Sequence, residues 1–169
     1  MRRITLLVVS IALLVAVAAS VALAATIHCK ANVTCRGTGG ADLMVGTDGS
    51  DTMYGFRGND VMRGRGGRHD LINGRSGSDE IVGQRGFDDI IGSDGDDYLT
   101  GNRGDDGIDA GRGDDIAKGG EGRDSISVYG DQALGFKDVV SCSNGVDHVL
   151  ADGNDAVSSD CEFVTRDWP

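Results

Sequence analysis

The chain has 169 residues, of which 28 are glycine and one is proline, and 27 acidic side chains against 16 basic ones give a formal charge of -11. Aromatic residues are 5% of the chain and apolar residues beyond the first two dozen positions are scattered singly, which is too little apolar surface for an ordinary two-layer core and leaves a repeat architecture or disorder. The acidic balance excludes nucleic acid and anionic membrane as natural partners and favours cations.

Residues 1–24 read as an export signal. Arg2 and Arg3 precede the apolar run from Ile4 to Leu23, and Ala22-Leu23-Ala24 is a small-x-small cleavage pattern. An uncleaved membrane anchor is the alternative, because about 20 apolar residues can span a bilayer. Either way the remainder is expected to be extracytoplasmic, as a secreted or extracellular domain. Cleavage removes Arg2 and Arg3 and takes the formal charge from -11 to -13.

A short N-terminal cap over 25–36 follows, carrying Cys29, Cys35 and the sequon Asn32-Val33-Thr34. Two more cysteines, Cys142 and Cys161, lie beyond the glycine-rich stretch. Export makes disulfides the expectation. Four cysteines allow three connectivities, of which locality favours 29 with 35 and 142 with 161. A metal cluster is the weaker reading, since there is no Cys-x-x-Cys pair and the histidines are His28, His69 and His148.

Residues 37–127 divide into ten units of nine, aligned on aspartate: GTGGADLMV (37–45), GTDGSDTMY (46–54), GFRGNDVMR (55–63), GRGGRHDLIN (64–73), and then six more from Gly74 to Ser127. Position one is Gly except at Ala110, and position four is Gly throughout. Position six is Asp42, Asp51, Asp60, Asp79, Asp88, Asp97, Asp106, Asp115 and Asp124. The fourth unit holds one extra residue, which predicts a local bulge and sets Asp70 a step late. Position eight is Met44, Met53, Met62, Ile72, Ile81, Ile90, Leu99, Ile108, Ala117 and Ile126. Glycine at positions one and four is expected to supply the positive φ of a tight turn. The carboxylate two residues past the second glycine can then join backbone carbonyls around a cation, and such hard oxygen ligands suit Ca²⁺. Position eight is expected to be the inward middle residue of a three-residue strand.

This pattern resembles the G-G-x-G-x-D-x-U-x repeat of the RTX, or haemolysin-type, calcium-binding family. The resemblance implies an all-β, right-handed parallel β-roll in which two repeats make one turn. It further implies that several Ca²⁺ ions, at most eight in the regular repeats, sit between repeats n and n+2. The implied metal ligands are Asp42, Asp51, Asp60, Asp70, Asp79, Asp88, Asp97, Asp106, Asp115 and Asp124, with Asp70 displaced and the two sites that share it weakened. Position two departs from the family pattern, being Gly only at Gly111 and Gly120, and position three is Arg at Arg57, Arg85, Arg103 and Arg112. Those guanidinium groups either pair with the loop carboxylates in place of some Ca²⁺ or point away into solvent.

Over 128–169 the pattern fades into degenerate repeats and a C-terminal cap. Asp138-Val139-Val140, Asp147-His148-Val149 and Asp155-Ala156-Val157 keep an Asp-x-apolar core beyond an insertion near Gly130 to Ala133. Cys142 and Cys161 are then one coil turn apart, and Phe163 and Trp168 would cap the open end. Arg103-Gly104-Asp105 and Arg112-Gly113-Asp114 spell an integrin-type tripeptide but fall where the repeat places Gly and Asp anyway. No catalytic motif is present, so no enzyme activity is expected. The function expected is a calcium-binding structural or cell-surface module; the alternatives are a calcium-dependent adhesive or ligand-binding module, such as one for a surface glycan or protein, and a fragment of an RTX toxin or secreted hydrolase.

Overall fold

The computed structural model describes residues 24–31 and 33–166. The run from Ile4 to Leu23, the sequon residue Asn32 and Trp168 lie outside the described residues. The strands alternate between two parallel sheets. One holds β1 (Thr26–His28), β3 (Leu43–Val45), β5 (Val61–Gly66), β7 (Glu80–Arg85), β9 (Tyr98–Arg103), β11 (Ile116–Gly122), β13 (Val139–Gly145) and β15 (Ala156–Val157), in that order. The other holds β2 (Cys35–Arg36), β4 (Thr52–Arg57), β6 (Leu71–Ser76), β8 (Asp89–Asp94), β10 (Gly107–Arg112), β12 (Ser125–Val128), β14 (His148–Ala151) and β16 (Phe163–Arg166). Each strand pairs with the one a full turn away, so two repeats make one turn of a β-roll.

The period of two along a strand sets what lies inside. Position eight stacks into two files, Met44 on Met62, Ile81, Leu99 and Ala117 in one sheet and Met53 on Ile72, Ile90, Ile108 and Ile126 in the other. All of these side chains are buried. The regular strands run for six residues rather than three, from position seven to position three of the next unit, and position one is therefore the second inward position. The core is one aliphatic file per sheet with a glycine file beside it.

Glycine supplies positive φ at position four from Gly58 onward, as expected, except at Gly67; Gly40 and Gly49 lack it, and so does every glycine at position one. Space excludes a side chain there instead: a Cβ on Gly64 would stand 2.5 Å from Asp70 Oδ2 and 2.8 Å from the Gly83 carbonyl oxygen. The second positive φ falls at position two, where this chain carries Phe56 (84°), Arg65, Arg75, Gln84 (84°), Ser93 (88°) and Asn102 (82°). A side chain in that region is strained by about 1 kcal/mol or more, and glycine gives back about 0.5 kcal/mol of it through greater freedom in the unfolded chain. Ser93→Gly and Gln84→Gly are therefore expected to stabilise the Ca²⁺-loaded protein by about 0.5–1 kcal/mol each. Thermal melts read this, and a fall in melting temperature for both would contradict it.

The extra residue of the fourth unit does not displace Asp70. Gly67 stacks on Gly49, and Phe87 N–H donates to the Arg68 carbonyl as a position-five residue. The surplus residue is thus His69, which loops outward and meets Asp89 Oδ2 at 2.8 Å. A turn can shed one residue outward because its outer side has no partner strand to keep in register.

Beyond residue 127 the coil continues, with Ile116 in register with Val139 and Ser125 with His148. The insertion holds a short 3-10 turn, Gln132–Leu134. Disulfides join Cys29 to Cys35 and Cys142 to Cys161, the latter with Cα atoms 5.1 Å apart, the spacing of neighbouring rungs.

Candidate metal centre

Positions six, eight and one share the inner face of each rung, so every position-six carboxylate enters the coil at the end of an apolar file. Ten of them, Asp42, Asp51, Asp60, Asp70, Asp79, Asp88, Asp97, Asp106, Asp115 and Asp124, are at most 4% exposed. They form two ladders, one along each edge of the coil. On the first, the N–H of Asp42 donates to Asp60 Oδ1 (2.8 Å), Asp60 to Asp79 (2.8 Å), Asp79 to Asp97 (2.8 Å) and Asp97 to Asp115 (2.7 Å). On the second, Asp51 donates to Asp70 (2.8 Å), Asp70 to Asp88 (3.0 Å), Asp88 to Asp106 (2.8 Å) and Asp106 to Asp124 (2.9 Å). These pairs join repeats n and n+2, the repeats that the resemblance implies lie on successive turns.

The other oxygen differs along the ladder. Oδ2 of Asp60, Asp70, Asp79, Asp88, Asp97, Asp106, Asp115 and Asp124 is buried without a hydrogen-bond partner among the described residues. A buried carboxylate oxygen in that condition is costly unless a cation or proton meets it. In the first turn a threonine at position two relieves it: the N–H and hydroxyl of Thr38 bond Asp42 Oδ2 (2.5 and 3.0 Å), and those of Thr47 bond Asp51 Oδ2 (2.6 and 3.0 Å).

Burial pushes the eight carboxyls with an unshared Oδ2 upward, and at most of them neighbouring carboxylates add to it while the ladder N–H bonds pull the other way. Asp97 is raised to about 8, Asp106 to about 7, and Asp60, Asp70, Asp79, Asp115 and Asp124 to about 6. Asp88 is also raised, chiefly by burial.

The ladders run past the regular repeats. Asp115 donates to Asp138 Oδ1 and Asp124 to Asp147 Oδ1, both at 2.8 Å, and Oδ2 of Asp138 and Asp147 again has no hydrogen-bond partner. Asp138 then donates to Asp155, and Asp147 to Glu162, which ends the second ladder. The Asp-x-apolar cores flagged Asp138, Asp147 and Asp155 as coil but not as additions to the ladder. Asp131, 1% exposed, carries no sequence signal because it lies in the insertion; its Oδ2 accepts the Gly113 N–H at 3.1 Å.

Arg57, Arg85, Arg103 and Arg112 are all exposed. Among the described residues, the one guanidinium of the four in an ion pair is that of Arg103, with Glu121 at 3.3 Å on the outer surface, and none of the four pairs with an interior ladder carboxylate. In the two Arg-Gly-Asp tripeptides, Asp105 accepts the Arg123 N–H (2.8 Å) and Asp114 the Lys137 N–H (2.9 Å), binding both carboxylates into the coil edge.

The donor set is all oxygen. No group of three or more His, Cys, Asp or Glu side chains converges on one point among the described residues, so an ion would draw on a pair of carboxylates and take its other ligands from backbone carbonyls. The orphaned Oδ2 atoms, and the cramped glycine at position one with a carbonyl beside it, fit Ca²⁺ held in that way.

A family model described as the RTX calcium-binding nonapeptide repeat matches in four copies, at residues 36–68, 73–108, 83–117 and 109–131. The comparisons with curated proteins and with solved structures each give no match.

Proposed function

Because this chain belongs to the RTX calcium-binding nonapeptide repeat family, we propose that it is a secreted calcium-binding protein whose paired aspartate ladders take up several Ca²⁺ ions and so complete the coil as a structural or cell-surface module. The observation that carries this reading is the file of buried Oδ2 atoms that no group among the described residues satisfies. Bound Ca²⁺ supplies the positive charge that the interior lacks. The chain's own part is to hold one oxygen of each carboxylate on the preceding turn's N–H, to keep the other oriented and unshared, and to leave room beside it through glycine at position one.

The pairs in which both Oδ2 atoms are unshared are Asp60 with Asp79, Asp79 with Asp97, Asp97 with Asp115, Asp70 with Asp88, Asp88 with Asp106 and Asp106 with Asp124. Asp115 with Asp138 and Asp124 with Asp147 repeat the arrangement. Calorimetric titration of the mature chain is therefore expected to give about six to eight strong sites. The weak pairs are those that start at Asp42 and Asp51, where threonine already bonds the oxygen, rather than both pairs sharing Asp70. Occupancy of none or one, or ions in a metal-soaked crystal seated away from these aspartates, would overturn the reading.

A further inference from the structure

The two outer faces of the coil do not share the chain's negative charge equally. On the sheet that contains β5 to β11, the outward residues include Arg63, Arg65, Arg85, Arg103 and Lys118. The acidic residues that face outward with them are Glu80 and Glu121, in a chain whose formal charge is -11. Glu80 lies 3.8 Å from Arg63 and Glu121 lies 3.3 Å from Arg103. Arg65 and Arg85 make no ion pair among the described residues. The register puts Arg85 beside Arg103 and Gln84 beside Asn102 on adjacent rungs, about 4.8 Å apart. On the next rung Gly120 continues the Gln84 and Asn102 file without a side chain. That gap opens a groove of about 610 Å³ lined by Gln84, Asn102 and Ser143 together with Arg85, Arg103 and the Glu121 carboxylate that pairs with Arg103.

We propose that this groove binds an anionic polysaccharide, with the Arg85 and Arg103 guanidinium groups holding a carboxylate or sulfate and the Gln84 and Asn102 amides holding the hydroxyls of the sugar. Planar guanidinium groups match both oxyanions with two parallel N–H donors. Arg85, which has no ion pair among the described residues, stands beside the Arg103–Glu121 pair and leaves one positive charge on this stretch for an incoming anion. The amide and hydroxyl lining matches a sugar better than a phosphate chain, whose charge every ~1.7 Å calls for a longer basic stripe. The site lies on the outer face of the sheet, apart from the interior aspartates, and is independent of the calcium reading.

The test uses the mature chain in Ca²⁺, titrated with a hyaluronan oligosaccharide, dextran sulfate, neutral dextran and duplex DNA. Binding to either anionic glycan and not to dextran is expected, and which of the two binds identifies the oxyanion. The Arg85→Ala and Arg103→Ala double variant is expected to lose at least ~tenfold in affinity. Arg57→Ala with Arg112→Ala, on the opposite sheet, should change nothing. Glu121→Gln, which frees Arg103, is expected to bind several-fold more tightly, a gain that misfolding cannot produce. Absence of binding to both anionic glycans, equal losses in the two double variants, or equally tight binding of duplex DNA would overturn the proposal. Calcium uptake measured on the same variants separates this outcome from a failure of the metal sites.

Discussion

In Ca²⁺-free buffer at neutral pH the mature chain is expected to give the far-ultraviolet circular dichroism of a disordered polypeptide, and in millimolar Ca²⁺ that of a β-solenoid. The apolar contribution per unit is one side chain, and at Ala117 that side chain is a single methyl. Against it stand the conformational entropy of nine residues, about 1–2 kcal/mol each, and a carboxylate with a desolvated, unpartnered oxygen. Ion binding turns the balance, because a site filled at 100 times its dissociation constant adds about 2.7 kcal/mol to the folded state. A few such sites match the whole stability of an ordinary domain, about 5–15 kcal/mol. Binding free energy is then folding free energy. Identical β-rich spectra with and without the metal would refute this, and would mean that the aliphatic files and the backbone ladders suffice alone.

The fold was legible because the repeat imposes it. Once two nine-residue units make a turn, the position-eight files and the two ladders of n and n+2 aspartates follow without further information. The Cys142 to Cys161 link also follows, since 19 residues is close to one turn. Three features were not legible, each because a nonapeptide pattern records spacing and not contact. The surplus residue of the fourth unit could have been any of several, and the stacking of Gly67 on Gly49 with the Phe87 N–H bond to the Arg68 carbonyl places it at His69, leaving Asp70 in line. The glycine at position one reads like the glycine at position four, yet one answers to crowding by a carboxylate and the other to a positive φ. Thr38 and Thr47 look like ordinary loop residues until their hydroxyls are found on Asp42 and Asp51, which marks the first turn as the part that manages its own charge.

Acidity is expected to act in opposite directions on the Ca²⁺-free and Ca²⁺-loaded protein. Burial raises the ladder carboxyls to about 8 at Asp97, about 7 at Asp106 and Asp138, and about 6 at Asp60 and Asp79, whereas the unfolded chain titrates near 3.8. Between those limits the folded state binds more protons than the unfolded one, so the stability of the Ca²⁺-free coil rises as pH falls from about 8 towards 4 and levels off below. A proton then does part of what the cation does, by removing the buried charge. In Ca²⁺ the ionised carboxylates are the binding form and protons compete for them, so the Ca²⁺ concentration at the folding midpoint rises as pH falls through the same window. Far-ultraviolet circular dichroism of the Ca²⁺-free chain is expected to gain β-signal between about pH 7.5 and about pH 5, while the Ca²⁺ concentration at the folding midpoint is expected to rise over the same interval, so that the two effects have opposite sign. Asp97→Asn isolates one rung, since it keeps the shape, removes the charge and takes a ligand from the pairs with Asp79 and Asp115. That variant is expected to bind about two fewer ions and to need several-fold more Ca²⁺ to fold at about pH 7.5. Unchanged ion uptake together with an unchanged Ca²⁺ requirement for folding would show that the ladder is held by hydrogen bonds alone and that the cation sits elsewhere.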